Sequence, residues 1–240
     1  MTLVYGNALK FVAGSSQYAR SGANVGSPSV DNFSMVCWVK VAAYGAGDTF
    51  LFQNGANDAR GMGMFITSAG VFQGDMAFVA NINSAFTLVV DTWYHIAWIR
   101  NSGTSQLYVN GEAKGSTSGS SPNSGNDYIT LGAWTSSGGT TDEFASATVD
   151  DARFYERAIS TTELLQLYNN GNVWPYTDIS ATSLKYWYKL DETSGTSVAD
   201  SSGNGIGLTT SGTPTWVQGI VATGSVNSSP LSNLLMMGVG

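Results

Sequence analysis

The clearest local signal of the fold is the segment Ser105-Gln-Leu-Tyr-Val-Asn-Gly-Glu-Ala-Lys114. Asn110-Gly111 favours positive φ at both central positions of a turn, which a two-residue type I′ hairpin supplies. The segment therefore predicts two antiparallel strands joined by a tight turn.

Apolar residues repeat with a period of two on both sides of this hairpin, as is typical of strands with one buried face. The clearest such segments are separated by Gly, Asn and Ser and cover residues 33–39, 61–66, 75–80 and 92–100. Phe33-Ser-Met-Val-Cys-Trp-Val39 is apolar almost throughout, so we expect a central strand in which Cys37 is a buried, inert thiol. His95, the only histidine, alternates in phase with Trp93 and Ile99, which favours a packing role.

One short helix is predicted near residues 160–169. Ser160-Thr-Thr-Glu163 has the form of a capping box, in which each end residue satisfies the backbone N–H of the other. The helix is expected to run through Tyr168 and to end at Asn170-Gly171. A single short helix among many closely spaced strands predicts an all-β fold, an antiparallel two-sheet jelly-roll sandwich.

Composition and charge exclude several classes of function. The 240 residues carry 10 basic and 17 acidic side chains, a net charge of −7. Nucleic-acid binding is therefore disfavoured, because phosphate contacts need a basic face. No apolar run approaches the roughly 20 residues that span a bilayer, so no membrane partner is expected. Since Cys37 is the only cysteine, an intramolecular disulfide is excluded.

Several blocks between residues 5 and 171 follow one another in a recognisable order. They include Phe33-Ser-Met-Val-Cys-Trp-Val39, Leu107-Tyr-Val-Asn-Gly111 and Val149-Asp-Asp-Ala-Arg-Phe-Tyr-Glu-Arg-Ala-Ile159, and the others are 7–11, 15–18, 93–100 and 129–132. In this order the chain resembles the laminin-G-like jelly roll of the concanavalin A-like lectin/glucanase superfamily. The resemblance implies the fold but no single activity, because the family hosts many binding roles.

The segment Leu184–Gly205 departs from the family order, because it looks like the segment with which such domains usually begin. Residues 184–220 can fold back into the same sandwich as a circular permutant, or complete the sandwich of a neighbouring subunit. We favour completion within one chain, since the shorter loop closure costs less entropy. We therefore expect a single domain over residues 1–220, with residues 221–240 as a docking tail.

The carboxylates do not form the pair that a glycosidase needs. Asp150 and Glu156 would lie roughly 20 Å apart along a strand, and Asp150 and Asp151 are expected on opposite faces. Asp142-Glu143 lacks a third acidic partner. We therefore expect a protein that is not an enzyme.

Calcium is the one cofactor that the sequence suggests. Asp200-Ser-Ser-Gly-Asn-Gly205 offers a carboxylate, an amide oxygen and backbone carbonyls at a tight turn. The resemblance implies that this turn lies near the strand that bears Asp150 and Asp151. The candidate ligands are therefore Asp200, Asn204, Asp150 and Asp151, and an Asx-type turn without an ion is the alternative.

The candidate ligand-binding residues lie in Gly-rich and polar loops. Sugars stack their apolar faces on aromatic rings, and Trp134 is the best such ring, with Asp142 and Asn126 as polar partners. Tyr44 and Asp48 occupy another Gly-rich loop. Packing over the end of the sandwich is the alternative role for each aromatic residue.

Together these features predict a non-catalytic surface recognition or assembly module. The predicted role is a virion accessory protein, such as a phage head-decoration or tail-fibre component, which forms homo-oligomers and binds shell protein or host glycans. A secreted or cell-surface lectin is the alternative, and a glycoside hydrolase is the third possibility. Because residues 1–11 lack the features of a signal peptide while the composition is typical of extracellular β proteins, we expect a virion-surface or extracellular location.

Overall fold

The structure is a computed structural model that describes residues 2–22, 25, 31–55, 61–76, 79–119, 128–169 and 178–226. Its helix α1 spans Thr161–Tyr168. Its strands, in chain order, are β1 (Thr2–Phe11), β2 (Tyr18–Arg20), β3 (Asn32–Ala43), β4 (Thr49–Asn54), β5 (Met62–Ile66), β6 (Val71–Met76), β7 (Ala80–Thr87), β8 (Trp93–Asn101), β9 (Thr104–Val109), β10 (Glu112–Ser118), β11 (Ile129–Leu131), β12 (Trp134–Thr135), β13 (Thr141–Asp142), β14 (Ser146–Tyr155), β15 (Leu184–Tyr188), β16 (Ser197–Val198), β17 (Leu208–Ser211) and β18 (Thr215–Val226).

Two large antiparallel sheets pack face to face. Sheet A has the order β10-β9-β8-β3-β14-β1-β18, and β15 also pairs with β14. Sheet B has the order β16-β17-β2-β11-β4-β5-β6-β7, while β12 and β13 form a separate hairpin. The predicted all-β, two-sheet jelly-roll sandwich is therefore confirmed.

The main core lies between the sheets and consists of apolar residues from alternating strand positions. Trp98 packs edge-on against Phe33, with ring centroids 4.9 Å apart, and Phe154 stacks on the same ring. Cys37 is fully buried in this core, as predicted, and burial raises the pKa of its thiol. Among the helices that the structure describes, none has the length and apolar character needed to cross a bilayer.

The local motifs form as predicted. Asn110 and Gly111 have φ values of 52° and 77° and join β9 to β10. The Ser160 side chain accepts from the Glu163 backbone, and Glu163 accepts in return from the Ser160 backbone, which completes the capping box of α1. The predicted end of the helix at residues 170–171 lies outside the described residues.

Residues 184–226 lie in both sheets of this chain. β15 pairs with β14 and β18 with β1 in sheet A, while β17 pairs with β2 in sheet B. The expected domain end at residue 220 is too early, because β18 continues to Val226 and pairs there with the start of β1. The rest of the predicted tail, 227–240, lies outside the described residues. The displacement of this segment from a family order stays a prediction.

Candidate functional site

A pocket of about 350 Å³ lies on the outer face of sheet B, the face that points away from the core. We call it the acidic pocket. The described residues that line it come from β4 to β7, from the hairpin β12–β13 and from two neighbouring loops, and they are Asp48, Phe50, Phe65, Asp75, Asn81, Trp134, Asp142 and Glu143.

Two stacked phenylalanine rings form the floor of the acidic pocket. Phe50 and Phe65 are direct partners in the β4–β5 register, and their ring centroids are 5.3 Å apart. Their neighbours Leu51 and Met64 point into the main core, so strand alternation places the two rings on the outer face. Gly63 makes room for this floor, because a Cβ there would lie 2.6 Å from the Phe50 ring.

The hairpin β12–β13 forms one wall. Trp134 and Asp142 are direct partners across this hairpin, and Trp134 is half-buried. Gln53 on β4 holds the hairpin against sheet B, because its side chain accepts from the Thr135 N–H at 2.7 Å and donates to the Thr135 carbonyl at 3.0 Å. Arg20 on β2 adds a second tie by donating to the Gly139 carbonyl at 2.7 Å.

Four carboxyl groups surround the aromatic floor. Asp75 is 7% exposed, whereas Asp48, Asp142 and Glu143 are exposed at the rim. Burial raises the pKa of Glu143, and the neighbouring charges of Asp48 and Asp142 raise it further. Burial also raises the pKa of Asp48. The pocket therefore combines an apolar floor with a negatively charged rim.

The structure brings three of the five predicted ligand-binding residues into one pocket: Asp48, Trp134 and Asp142. Tyr44 is not among them. Its hydroxyl donates to the Leu88 carbonyl at 2.7 Å and its ring covers Gly70, so it has the packing role that was the alternative. Asn126 lies outside the described residues. That the three grouped residues bind a ligand stays a prediction.

The other lining residues were not predicted from the sequence. Glu143 could have been found, because it follows the candidate Asp142 directly. Phe50, Phe65 and Asp75 lie on strands, and nothing local in the sequence shows that they point outward. The pocket therefore has a larger aromatic and acidic lining than the loops alone suggested.

The predicted calcium ligands are engaged within the protein. Asp200 accepts from the backbone N–H groups of Trp187, Ser202 and Ile206 and from the Ser202 hydroxyl, at 2.9–3.1 Å. Asn204 donates to the carbonyls of Leu184 and Lys185. Both carboxylate oxygens of Asp200 accept hydrogen bonds, which is the geometry of the alternative Asx turn, and calcium binding at this turn stays a prediction. Among the described residues, no group of three or more His, Cys, Asp or Glu side chains could hold a metal ion.

Asp150 and Asp151 do not point to opposite faces, so that prediction is wrong. A β-bulge separates them from Arg153, and Asp151 has a φ of 48°. The flanking Val149 and Ala152 both point into the core, which leaves both aspartates on the outer side. The bulge adds one residue to β14 relative to β3, so side chains do not alternate strictly between the two faces of the sheet there.

The two aspartates bind different partners on that side. Asp150 accepts from the N–H groups of Ile220 at 2.8 Å and Val221 at 3.1 Å, which joins β14 to β18. Asp151 accepts from the Arg153 guanidinium at 3.0 Å and the Trp187 indole at 2.6 Å. Both carboxylates therefore tie the strands of sheet A to one another.

Comparison with known proteins identifies the family. A family model described as the concanavalin A-like lectin/glucanases superfamily matches residues 13–165. No curated protein matches the chain.

Solved structures share the fold at low sequence identity. A protein from Bacteroides ovatus, provisionally described as carbohydrate-binding, has a TM-score of 0.67 and 18% identity, over 92% of this chain and 62% of that chain. The chain therefore spans less than two thirds of that protein. A heptameric SAP-like pentraxin from Limulus polyphemus has a TM-score of 0.58 and 15% identity, over 82% of this chain and 93% of that chain. A sialidase from Trypanosoma rangeli has a TM-score of only 0.45, over 62% of this chain and 26% of that chain.

Proposed function

Because the chain belongs to the concanavalin A-like lectin/glucanases superfamily, we propose that it is a non-catalytic saccharide-binding module whose ligand occupies the acidic pocket. The observation that carries this proposal is the convergence of aromatic rings and carboxyl groups in one concave site. The Bacteroides ovatus protein, provisionally described as carbohydrate-binding, supports it.

The chemistry of the pocket suits a sugar. A pyranose ring has an apolar face that packs on aromatic rings, and Trp134 stands beside the Phe50–Phe65 floor. Its hydroxyl groups donate well to carboxylates, which Asp48, Asp142 and Glu143 supply at the rim. The volume of about 350 Å³ falls at the lower end of small-molecule sites, of roughly 300–1,000 Å³. A short saccharide therefore fits better than an extended polymer.

Replacing the wall residue tests this proposal. We expect saturable binding on a glycan array and a loss of about fivefold or more in affinity for Trp134→Ala, since an aromatic contact is worth about 1 kcal/mol or more. Trp93→Ala is the matched control, because Trp93 is also half-buried but lies on β8 in sheet A. Absence of binding across the array, or an equal loss of affinity in the two variants, would contradict the proposal.

Glycoside hydrolysis is the competing function, and the raised pKa of Glu143 favours it, because a general acid in such enzymes needs a raised pKa. Incubation with laminarin-type and galactan-type polymers distinguishes the two. We expect no new reducing ends. Reducing ends that disappear in Glu143→Gln would identify an enzyme instead.

We further propose that the protein is a homo-oligomeric component of a virion. The pentraxin that shares this fold is heptameric, which makes the oligomeric state of this chain worth measuring. Mass photometry is expected to give two or more times the monomer mass of 25.2 kDa. Co-sedimentation is expected to show the protein bound to virus particles. A monomer that never associates with particles would contradict this role and leave saccharide binding intact.

A further inference from the structure

The charge of the acidic pocket restricts which saccharide it accepts. Asp48, Asp142 and Glu143 stand at the rim, and Asp75 lies deeper. No Lys, Arg or His occurs among the described residues that line the pocket. An anionic sugar would therefore meet like charge on several sides, which disfavours it.

The rim carboxyls are not neutralised by the described part of the protein. None of the ion pairs between described residues involves Asp48, Asp142 or Glu143. Arg20 donates to the Gly139 carbonyl of the hairpin and lies 4.5 Å from the centroid of the Tyr128 ring. Burial is the main cause of the raised pKa of Glu143, and repulsion from Asp48 and Asp142 raises it further. A cation that entered the pocket would relieve this repulsion.

We propose that the acidic pocket selects a saccharide that carries a protonated amine, a hexosamine unit, over its neutral and anionic counterparts. This inference rests on the proposed function. The ammonium group would donate charge-assisted hydrogen bonds to the rim carboxylates, while the pyranose face packs on Trp134. The ammonium group and the pyranose face of such a ligand would therefore each contact a complementary surface in the same pocket.

Matched sugars that differ at one position test the inference. Glucosamine, galactosamine and mannosamine are each titrated beside the N-acetyl form and the parent hexose, by NMR near pH 6 with EDTA present. The amine form of at least one sugar is expected to bind about tenfold more tightly than both of its counterparts, because a hydrogen bond to a charged group is worth about 1.5–3 kcal/mol.

Neutral substitution of one rim carboxyl provides the internal check. Glu143→Gln keeps the shape of the side chain and is expected to reduce the preference for the amine over the parent hexose to about twofold. Glu112→Gln is the matched control, because the Glu112 side chain is 76% exposed on β10, in the other sheet. It is expected to keep the full preference.

The outcomes separate this inference from the proposed function. Equal or tighter binding of the N-acetyl form or the hexose, at a site sensitive to Trp134→Ala, overturns the amine preference alone. An amine preference that persists when Asp48, Asp142 and Glu143 are all replaced by their amides also overturns it, because the preference would then arise elsewhere. Absence of binding by all nine sugars and by the glycan array overturns both proposals.

Discussion

His95 is 2% exposed and lies against Trp38 and Tyr168, with ring centroids 5.2 and 5.9 Å away. This position confirms the packing role that strand alternation predicted for it. Its Nδ1 atom has no hydrogen-bond partner among the described residues. Burial lowers the pKa of His95 to about 4, because a charged imidazole would lose its hydration there.

This pKa predicts how stability depends on pH. The unfolded chain binds a proton on His95 below about pH 6.5, whereas the folded chain does not until about pH 4, so the contribution to stability is lost as pH falls through this window. The loss should reach about 2–3 kcal/mol near pH 4.5. Urea unfolding at pH 7 and near pH 4.5 is expected to show it in the wild type.

His95→Gln is the control, because it removes the titrating ring and leaves the other ionisable groups in place. Its free energy of unfolding is expected to fall less between the two pH values than that of the wild type. Equal decreases in both proteins would show that His95 is not the source of the effect.

Asp200 predicts the outcome of a calcium experiment. Its carboxylate already accepts four hydrogen bonds, so calcium chloride is expected to leave the Tm of the wild type unchanged relative to EDTA. Asp200→Ala is expected to lower stability by about 1–3 kcal/mol, because backbone donors lose their acceptor. A calcium-dependent rise in Tm that disappears in Asp200→Ala would show that Asp200 binds calcium.

Turns and helix ends, the smallest elements, depend on neighbouring elements as well as on their own sequence. Gly111 in the β9–β10 turn has a φ of 77°, and a Cβ there would lie 2.7 Å from Leu165 and 3.1 Å from Tyr168, both on α1. Gly103 between β8 and β9 has a φ of 88° but has no atom within 4 Å of such a Cβ. Comparing the two glycines therefore distinguishes the cost of a left-handed backbone from the cost of steric contact with α1.

Replacing each glycine by alanine measures the two effects. Gly103→Ala is expected to cost about 1–2 kcal/mol, the penalty of a left-handed backbone for a residue with a Cβ. Gly111→Ala is expected to cost more, because the side chains of Leu165 and Tyr168 must also move. Chemical denaturation of both variants provides the comparison, and equal costs would show that α1 does not pack on the turn.

Residues 184–226 determine whether the whole sandwich is complete. They contribute Tyr186, Tyr188, Leu190, Val198 and Leu208 to the main core. They also add neighbours to β14, β1 and β2. At roughly 2 kcal/mol for each buried apolar side chain, their loss is comparable with the ~5–15 kcal/mol that stabilises a typical domain.

Truncation tests this dependence directly. A chain that ends at Gly171 is expected to aggregate or to lack a cooperative thermal transition, because both sheets would lose strands. A chain that ends at Val226 is the matched control and is expected to keep the Tm of the full chain. If the shorter chain were as heat-resistant and monodisperse as the longer one, residues 184–226 would not belong to the same cooperative unit.

The loop part of the acidic pocket was predictable, and the strand part was not. Trp134, Asp48 and Asp142 stood out because aromatic and acidic side chains in Gly-rich segments suit sugar stacking and hydrogen bonding. Phe50 and Phe65 could not be assigned, because strands in a sandwich carry apolar residues on both faces. The register of β4 and β5 shifts between Phe50 and Phe52, which no period-two pattern anticipates.

Local sequence was sufficient for the all-β class, the Asn110-Gly111 hairpin and the capped helix at Ser160, because each depends on contacts between residues close in the chain. It failed for Asp150 and Asp151, and for residues 75–80, where β6 ends at Met76 and β7 begins at Ala80 instead of one strand. The grouping of carboxyls and rings in one pocket came only from the pairing of distant strands. Alternation shows that the two faces of a strand differ, but the covering of one face by the opposite sheet decides which residues remain available to a ligand.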